Sequence, residues 1–499
     1  MRNTATTAPV RRVRRVTLEG ARRRRGAMSP HCRAHRRSRP AVRVACPDIV
    51  GPHVVIREGF RVRRAASFVC AVVLASMLAA CTSDDEPTPD PVGTKDDPVK
   101  LSFMTYGPDE EVEAYESIVE DFNETHDGVE VKLHHVDNQD AALRALRAGV
   151  NPDVFLLARR DLAEIVRDQR NQPVDELLDS RGVDFGDYYK RDALQAFSLD
   201  DRLQCMPYGV SPMVIYYNTN LIDFETMKEQ GLPAPGPEST SWNFEQFSAA
   251  ADYATRRGTK GVYVAASLQG LAPFVYSGGG QVFDDPKEPT TLTLSDDSSR
   301  EALGTTMELL RTDRLTLSPR QLRRKSALQR FKEGKLGMIA GYRDLVPELR
   351  KTPSLSFDVM PMPAIESSRT VGTTTGLCMS SEPSSVSAAA DFIVDAISTE
   401  SVSRVAEAGY LVPSNNEVAE SDAFLQPDRL PAHPEVFNKS VRDIVISPPD
   451  VDLKRLEQVI HPGIYRLFYA RILNIEAVTE SIDEASRSVV GAGENSTDE

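Results

Sequence analysis

Residue types able to do chemistry are few in this 499-residue chain, and they seldom stand at productive spacing. His134 and His135 are neighbours in the alternating run GVEVKLHHV. Neighbours in a strand point to opposite faces, so the pair cannot close on one metal ion and reads as a solvated edge pair. The run YSGGGQ, residues 276–281, has glycines like those of a phosphate-binding loop but lacks the lysine and the spacing, and no G-x-G-x-x-G follows the first strand. No G-x-S-x-G nucleophile elbow occurs. Asp284 and Asp285 read as loop acids, and Asn495-Ser496-Thr497 matches a glycosylation sequon by pattern alone. The residues thus offer no catalytic set, no metal ligands and no cofactor motif, and an enzyme is not the expected reading.

Of six cysteines, Cys81 has the most telling surroundings. It closes the apolar stretch Ala65 to Ala80, which is shorter than the roughly 20 residues a membrane-spanning helix needs and fits the apolar core of a secretory signal behind the basic RVRRAASF. Leu78-Ala79-Ala80-Cys81 resembles the bacterial lipobox, so lipidation is expected at Cys81, which would become the mature N-terminus. One acyl chain holds a protein to a membrane only marginally; the two or more that such a cysteine is expected to carry hold it stably. The following TSDDEPTPDPVGTKDDPVK is charged and proline-rich, and is expected to be an unfolded tether over residues 81–98. Residues 1–55 are arginine-rich without apolar periodicity and read as an extension upstream of the true start, the competing reading being a basic nucleic-acid-binding arm; residues 56–80 are the signal peptide. The first 80 residues hold 18 Arg against 3 acidic residues, which leaves 41 basic and 70 acidic residues, a net of −29, in the remainder. So acidic a body opposes binding to nucleic acid or anionic lipid and favours solubility.

About 400 residues follow the tether, more than one core usually serves, so two domains are expected. The opening VKLSFMTYGPDEEVEAYESIVEDFNETHDGVEVKLHHVD passes from alternating apolar residues through a turn into a helical pattern with Val112, Tyr115, Ile118, Val119 and Phe122 on one face, then back to period-two alternation. DAALRALRAG reads as a second helix and PDVFLL as a short buried strand. Strand–helix alternation of this kind predicts an α/β sheet. Further on, EALGTTMELLRT, SALQRFKEG, SAAADFIVDAIS and RLEQVIHPGIYRLFYARIL read as helices, and KLGMIAGY and SFDVMPMP as strands.

The segments FNETHDGVEV, PDVFLLARRDLAEI, CMPYGVSPMVIYYNTNLI, SWNFEQFSAAADYA, YSGGGQVFD, FKEGKLGMIAGYRDL, FDVMPMP and AGYLVPSN, in this order over about residues 98–490, resemble the extracellular solute-binding proteins of ABC importers, the family that includes maltose-binding protein and many sugar-binding lipoproteins. The resemblance implies an α/β, two-lobed periplasmic-binding-protein fold of the class II type, with each lobe discontinuous and hinge strands between them. Lobe 1 would take residues 99–207 and about 378–425, lobe 2 about 208–377 and 426–490, with a polar tail at 491–499. The crossings would lie in LQCMPYGVSP, near TTTGLCMSS, and beyond Pro413.

Carried over position by position, the resemblance implies ligand contacts at Tyr106 after the first strand, at Arg159, Arg160 and Asp161 after PDVFLLA, at Ser211, at Gly279 and Gly280, at Tyr342, and at Thr374 and Thr375. It also sets Cys205 and Cys378 in neighbouring hinge strands, where a disulfide and two buried thiols are both open. Carbohydrate clefts are rich in aromatic residues, yet Trp242 is the single tryptophan and reads as structural, with Thr240 or Ser241 as the cap of the helix after it. Tyr106, Tyr208, Tyr276 and Tyr342 would then supply the aromatic faces. The function implied is that of a monomeric lipoprotein on the outer face of the bacterial membrane, needing no cofactor and no nucleic acid, which passes a sugar or oligosaccharide to importer permeases. The alternatives are a sensor or surface module of the same fold, or a binder of another solute.

Overall fold

The computed structural model describes residues 90–236, 239–448 and 451–490. Cys81, the basic N-terminal run, the apolar signal and the polar tail lie outside these residues. None of the described helices is long and apolar enough to cross a membrane.

Strand β1 (Val99–Tyr106) leads into helix α1 (Asp109–Thr125), whose Val112, Tyr115, Ile118, Val119 and Phe122 are all buried. Each such burial contributes about 1.5–3 kcal/mol, so this face alone fixes the helix against the sheet. Strand β2 (Val129–Val136) and helix α2 (Gln139–Arg147) follow, and β3 (Val154–Ala158) is buried at every residue. After the two-residue β4 (Asn171–Gln172) and a small hairpin of β5 (Ser198–Leu199) and β6 (Arg202–Leu203), β7 (Met206–Pro212) runs beside the sheet. The chain then enters a second sheet through β8 (Val214–Asn218), helix α3 (Phe244–Ala254), β9 (Lys260–Tyr263), α4 (Leu268–Ser277), α5 (Asp297–Leu310), β10 (Leu336–Gly341) and β11 (Phe357–Pro361). It returns through β12 (Gly372–Ser380) and α6 (Val386–Ala396), and the last two helices, α7 (Leu453–Tyr469) and α8 (Ile475–Val490), pack on lobe 2.

The first sheet has the order β2-β1-β3-β12-β4, with β7 also paired to β12; the second has the order β11-β8-β10-β9. Strands β1, β2 and β3 are parallel, and from β1 the chain winds first to one side and then to the other. A reversal of winding direction opens a crevice at the carboxyl ends of the strands, where doubly wound sheets bind their ligands. In β8, side chains alternate between two cores: Val214 and Tyr216 join the core shared with lobe 1, while Ile215 and Tyr217 face the core of lobe 2.

Four details differ from the sequence expectation. β7 stays in the first sheet as far as Pro212 and β12 rejoins it at Gly372, so the crossings fall at Met213 and Val371 rather than at 207/208 and 377/378. Residues 426–446 do not belong to lobe 2 alone: the Phe437 ring lies 6.0 Å from that of Tyr216 on β8, while Asn438 accepts a 2.6 Å hydrogen bond from Lys190 of lobe 1. The tether ends sooner than residue 98, because Asp90 caps α6, accepting from the Val386 amide at 3.0 Å and the Ser387 amide at 2.8 Å; a carboxylate there satisfies amides that the first helical turn leaves free. Helix α3 is capped by Asn243 in a reciprocal pair with Gln246, not by Thr240 or Ser241.

Candidate functional site

The register of lobe 1 gathers most of the expected positions at the carboxyl edge of its sheet. Tyr106 is the last residue of β1, and Gly107 turns the chain with φ +144°. A Cβ on Gly107 would sit 2.7 Å from Glu111 Oε2, so the turn that brings this carboxylate against the strand end requires glycine. On the neighbouring strand, β3 ends at Ala158 and runs into the 3₁₀ turn Arg159–Asp161. Thr375 on β12 pairs with Ala158 on one side and Gly209 on the other, Thr374 pairs with Val210, and Thr373 with Ser211. Tyr106, Arg159–Asp161, Thr374, Thr375 and Ser211 therefore share one edge.

Lobe 2 reaches the same edge through the turn after β10. The Arg343 amide donates to Ser211 Oγ at 2.9 Å, and the Tyr216 hydroxyl donates to the Tyr342 carbonyl at 2.5 Å. Ser211 is thus occupied in holding the turn that carries Tyr342 and Asp344. Two ion pairs also cross between lobes: Lys351 with Glu110, and Lys454 at the start of α7 with Asp140 of α2, 2.7 Å apart. Asp140 also takes Arg160 at 3.0 Å, which makes a relay from the Arg159–Asp161 turn to lobe 2. Lys454, as first cause, holds the Asp140 carboxyl below its ordinary range.

The facing walls carry carboxylates in crowded surroundings. Burial pushes the Glu111 carboxyl up to about 8, and the Asp344 charge from the opposite lobe adds to the rise. Burial likewise lifts Asp161 to about 6, with Arg160 acting in the other direction. Asp344 is open to solvent within the cleft, yet the protein packed around it raises its carboxyl too. The Tyr106 side chain is 7% exposed, and burial followed by the charges of Glu111 and Asp161 raises its phenol. The hydroxyls of Tyr106 and Tyr342 are both buried and have no partner at full hydrogen-bond geometry among the described residues, with Gln139 the side chain nearest to bonding that of Tyr106. Such atoms are costly unless something else bonds them.

Other expected positions lie elsewhere. Gly279 and Gly280 follow the Gly278 cap of α4 and line a separate cavity of about 480 Å³ with Ser295 to Ser299; a Cβ on Gly280 would lie 2.7 Å from the Ser299 Cα, so close packing against the start of α5 accounts for that glycine. Tyr276 lines a cavity of about 450 Å³ with Gln281, Arg369 and, from lobe 1, Asp192 and Gln195. Tyr208, 1% exposed, packs 5.8 Å from the Tyr115 ring and has no face to offer a ligand. Trp242 is buried and donates to the Pro361 carbonyl at 2.8 Å. Cys205 and Cys378 are bonded, with Cα atoms 4.3 Å apart, as the pairing of Met206 with Leu377 requires of the next positions along. No group of three or more metal-ligating side chains occurs among the described residues. Glu111, Asp344, Asp140 and Lys454 were missed by the sequence. The run PDEE signalled only a helix start, although a carboxylate one turn after a glycine at the end of the first strand was a usable sign.

A search of curated proteins returns no match to the sequence. Among solved structures, an ABC substrate-binding protein of Listeria monocytogenes in complex with cycloalternan superposes with a TM-score of 0.66 at 16% identity, covering 79% of this chain and 100% of that one. The GacH receptor of Streptomyces glaucescens, solved unliganded and with acarbose, gives 0.63 at 18%, covering 79% and 98%. A maltotriose-binding protein of Thermus thermophilus, bound with maltotriose, gives 0.59 at 16%, covering 78% and 99%. These likenesses establish a shared two-lobed fold. The sequence itself, over residues 117–434, matches the profile of the bacterial extracellular solute-binding proteins. That stretch is well over half of the chain and runs out of lobe 1, through the second sheet and back, so the chain belongs to this family of binding proteins rather than to any family of enzymes.

Proposed function

We propose that the chain captures a sugar or oligosaccharide between its lobes and delivers it to the permease subunits of an ABC importer, held at the outer face of the cell membrane by lipid on Cys81. The observation that carries the ligand reading is the pair of buried, unpartnered hydroxyls, Tyr106 and Tyr342, one on each lobe at the strand-end crevice. A tyrosine offers an apolar face and a polar tip, the mixture a carbohydrate presents in return. Thr374, Thr375 and the Arg159–Asp161 turn add further polar groups on the same edge. Several proteins of like fold were solved with carbohydrates, among them cycloalternan, maltotriose and maltose. Arg160 and Lys454, joined through Asp140, supply a contact that closure would make and opening would break.

Calorimetric titration against maltose, maltotriose, maltotetraose, cycloalternan and tagatose tests the reading, with binding of at least one expected. Tyr342→Ala is then expected to weaken that ligand by about tenfold or more while unliganded melting changes little. Unchanged affinity removes Tyr342 from the site, and a panel without a binder overturns the sugar reading. For the anchor, Cys81→Ala is expected to release the protein from membranes of a bacterial expression host. A variant that stays membrane-bound after a high-salt wash sinks that part of the proposal.

A further inference from the structure

Two cavities that stand apart from the strand-end crevice adjoin one another. One, of about 500 Å³, opens beside Lys190 of lobe 1; the other is the cavity of about 450 Å³ at Tyr276, and Asp192 and Arg442 line both. The second is built on the crossings between the lobes. Arg369 comes just before the crossing at Val371, Ile444 bridges to Thr370, and Thr370 Oγ1 donates to the Met213 carbonyl at 2.7 Å, on the other crossing. Gln195 closes this cavity from lobe 1 and Gln281 from lobe 2. A change in the angle between the lobes therefore reshapes it.

Cations collect along this trough. Lys190, Arg191, Lys439 and Arg442 line the first cavity, and Arg369 joins Arg442 in the second. Asp192, Glu420 and Glu435 lie on the same walls, so five basic groups stand against three acidic ones in a body that is strongly acidic as a whole. None of the five makes an ion pair among the described residues, and the side chains of Arg191, Arg369 and Lys439 make no hydrogen bond there either. Burial raises the Asp443 carboxyl, with Arg442 and Arg369 acting in the other direction, but it pairs with neither. Arg442 gives Nε to the Lys439 carbonyl at 3.2 Å. The Lys190 ammonium donates to Asn438 Oδ1 at 2.6 Å and to Asn416 Oδ1 at 3.2 Å, and has a third N–H to give.

We infer that this trough at the hinge is a second ligand site, for a small solute with two or more negative charges, a phosphate ester or a polycarboxylate, and that its occupant fixes the angle between the lobes. Each cavity falls within the roughly 300–1,000 Å³ that small-molecule sites occupy, so a small solute suits the space better than a protein segment. The guanidinium fork matches carboxylate and phosphate oxygens, and Arg369 and Arg442 bring two such forks to one cavity. Tyr276, Ile444 and Ile446 on the same wall offer apolar surface to the carbon part of the solute. An acidic body repels anions over most of its surface, so a local excess of unpaired cations makes a selective seat for one. Because the second cavity takes walls from both lobes, a solute there binds one angle better than others, and by reciprocity it alters capture in the crevice.

Isothermal titration of the protein with pyrophosphate, glucose 6-phosphate and citrate tests this, at an ionic strength held constant with sodium chloride. At least one of the three is expected to bind with one site per chain. The double variant Arg369→Gln, Arg442→Gln is expected to weaken it by about tenfold or more, with circular dichroism showing the variant folded. Arg257→Gln, which removes an exposed cation outside the trough, is expected to change nothing. Binding of the two phosphates without citrate assigns the site to phosphate compounds, and the reverse assigns it to polycarboxylates. No binding of any of the three, or an equal loss in Arg257→Gln, overturns the site. Small-angle scattering with and without the bound anion reads the hinge: a changed radius of gyration is expected, and an unchanged one overturns the control of lobe angle. The sugar reading of the crevice stands or falls separately, because no residue of the trough belongs to that edge.

Discussion

Replacing Cys205 and Cys378 together with alanine is expected to lower the unfolding free energy by about 5 kcal/mol, the loop-closure value for a bridge spanning 173 residues of sequence. The two cysteines stand at the point where the chain leaves lobe 1 along β7 and re-enters it along β12, so the loop they close contains all four strands of the lobe 2 sheet. In the folded protein the β7–β12 pairing persists without the bond. The loss therefore comes from the unfolded chain, which regains the freedom of a very long loop. With about 2.1 cal/mol/K of unfolding entropy per residue over some 400 residues, the melting temperature should fall by roughly 6 °C. Reduced wild-type protein should melt with the alanine variant, since both lack the same constraint. A variant melting within 1 °C of the oxidised parent, or two reactive thiols in unfolded, unreduced protein, rules the expectation out.

The fold was legible because its signals are local and repeated. Val112, Tyr115, Ile118, Val119 and Phe122 mark the buried face of α1 by spacing alone, and VEVKLHHV alternates as an edge strand does. The lobe crossings were less legible, because Pro212 and Gly372 end their strands only by pairing with each other across 160 positions of sequence, a matter of register that composition does not carry. The same holds for Asp90, whose helix-capping partners lie nearly 300 residues ahead. A proline-rich acidic run has the composition of a tether even where its last residues are docked.

The site was legible in its positions and much less so in its chemistry. Strand ends and the turns after them are where a sheet of this winding presents side chains to a crevice, and Tyr106, Arg159–Asp161, Thr374 and Thr375 do lie on that edge. Which of these groups remain available is decided by neighbours from the other lobe. The Ser211 hydroxyl is consumed by the Arg343 amide, Arg160 by Asp140, and Asp140 by Lys454. Glu111 and Asp344 stand out only once those pairings are known, because they are wall carboxylates that none of them reaches. Gly279 and Gly280 illustrate the converse, for a run of three glycines suggested close approach of a ligand, while at Gly280 the close neighbour is the start of α5.

Arg343→Ala is expected to cost about 3–5 kcal/mol of stability, far more than Arg343→Met, and the contrast identifies what this residue does. Its side chain has no exposed surface, and burial pushes the guanidinium down to about 10, which still leaves it charged at neutral pH. Among the described residues no carboxylate pairs with it. Nε donates to the Gly409 carbonyl at 3.1 Å and Nη2 to the Phe424 carbonyl at 3.3 Å, while the guanidinium lies 4.6 Å from the Phe424 ring centre and 5.2 Å from that of Phe437. Arg343 thereby ties the lobe 2 turn that carries Tyr342 and Asp344 to the segment returning through lobe 1. Two charge-assisted hydrogen bonds at about 1.5–3 kcal/mol each, stacking on two rings, and the volume of a large buried side chain are all lost on truncation to alanine. Against this stands the relief of burying an unpaired charge, itself worth several kcal/mol. Methionine keeps much of the volume and the same relief, so its net change should stay within about 1–2 kcal/mol, whereas alanine adds a cavity that nothing fills. Urea unfolding of the two variants beside the parent measures the difference. Equal losses for alanine and methionine would mean that the hydrogen bonds to Gly409 and Phe424 carry the stability. An unchanged midpoint for alanine would mean that Arg343 is no anchor at all, and that Ser211 alone holds the Tyr342–Asp344 turn against lobe 1.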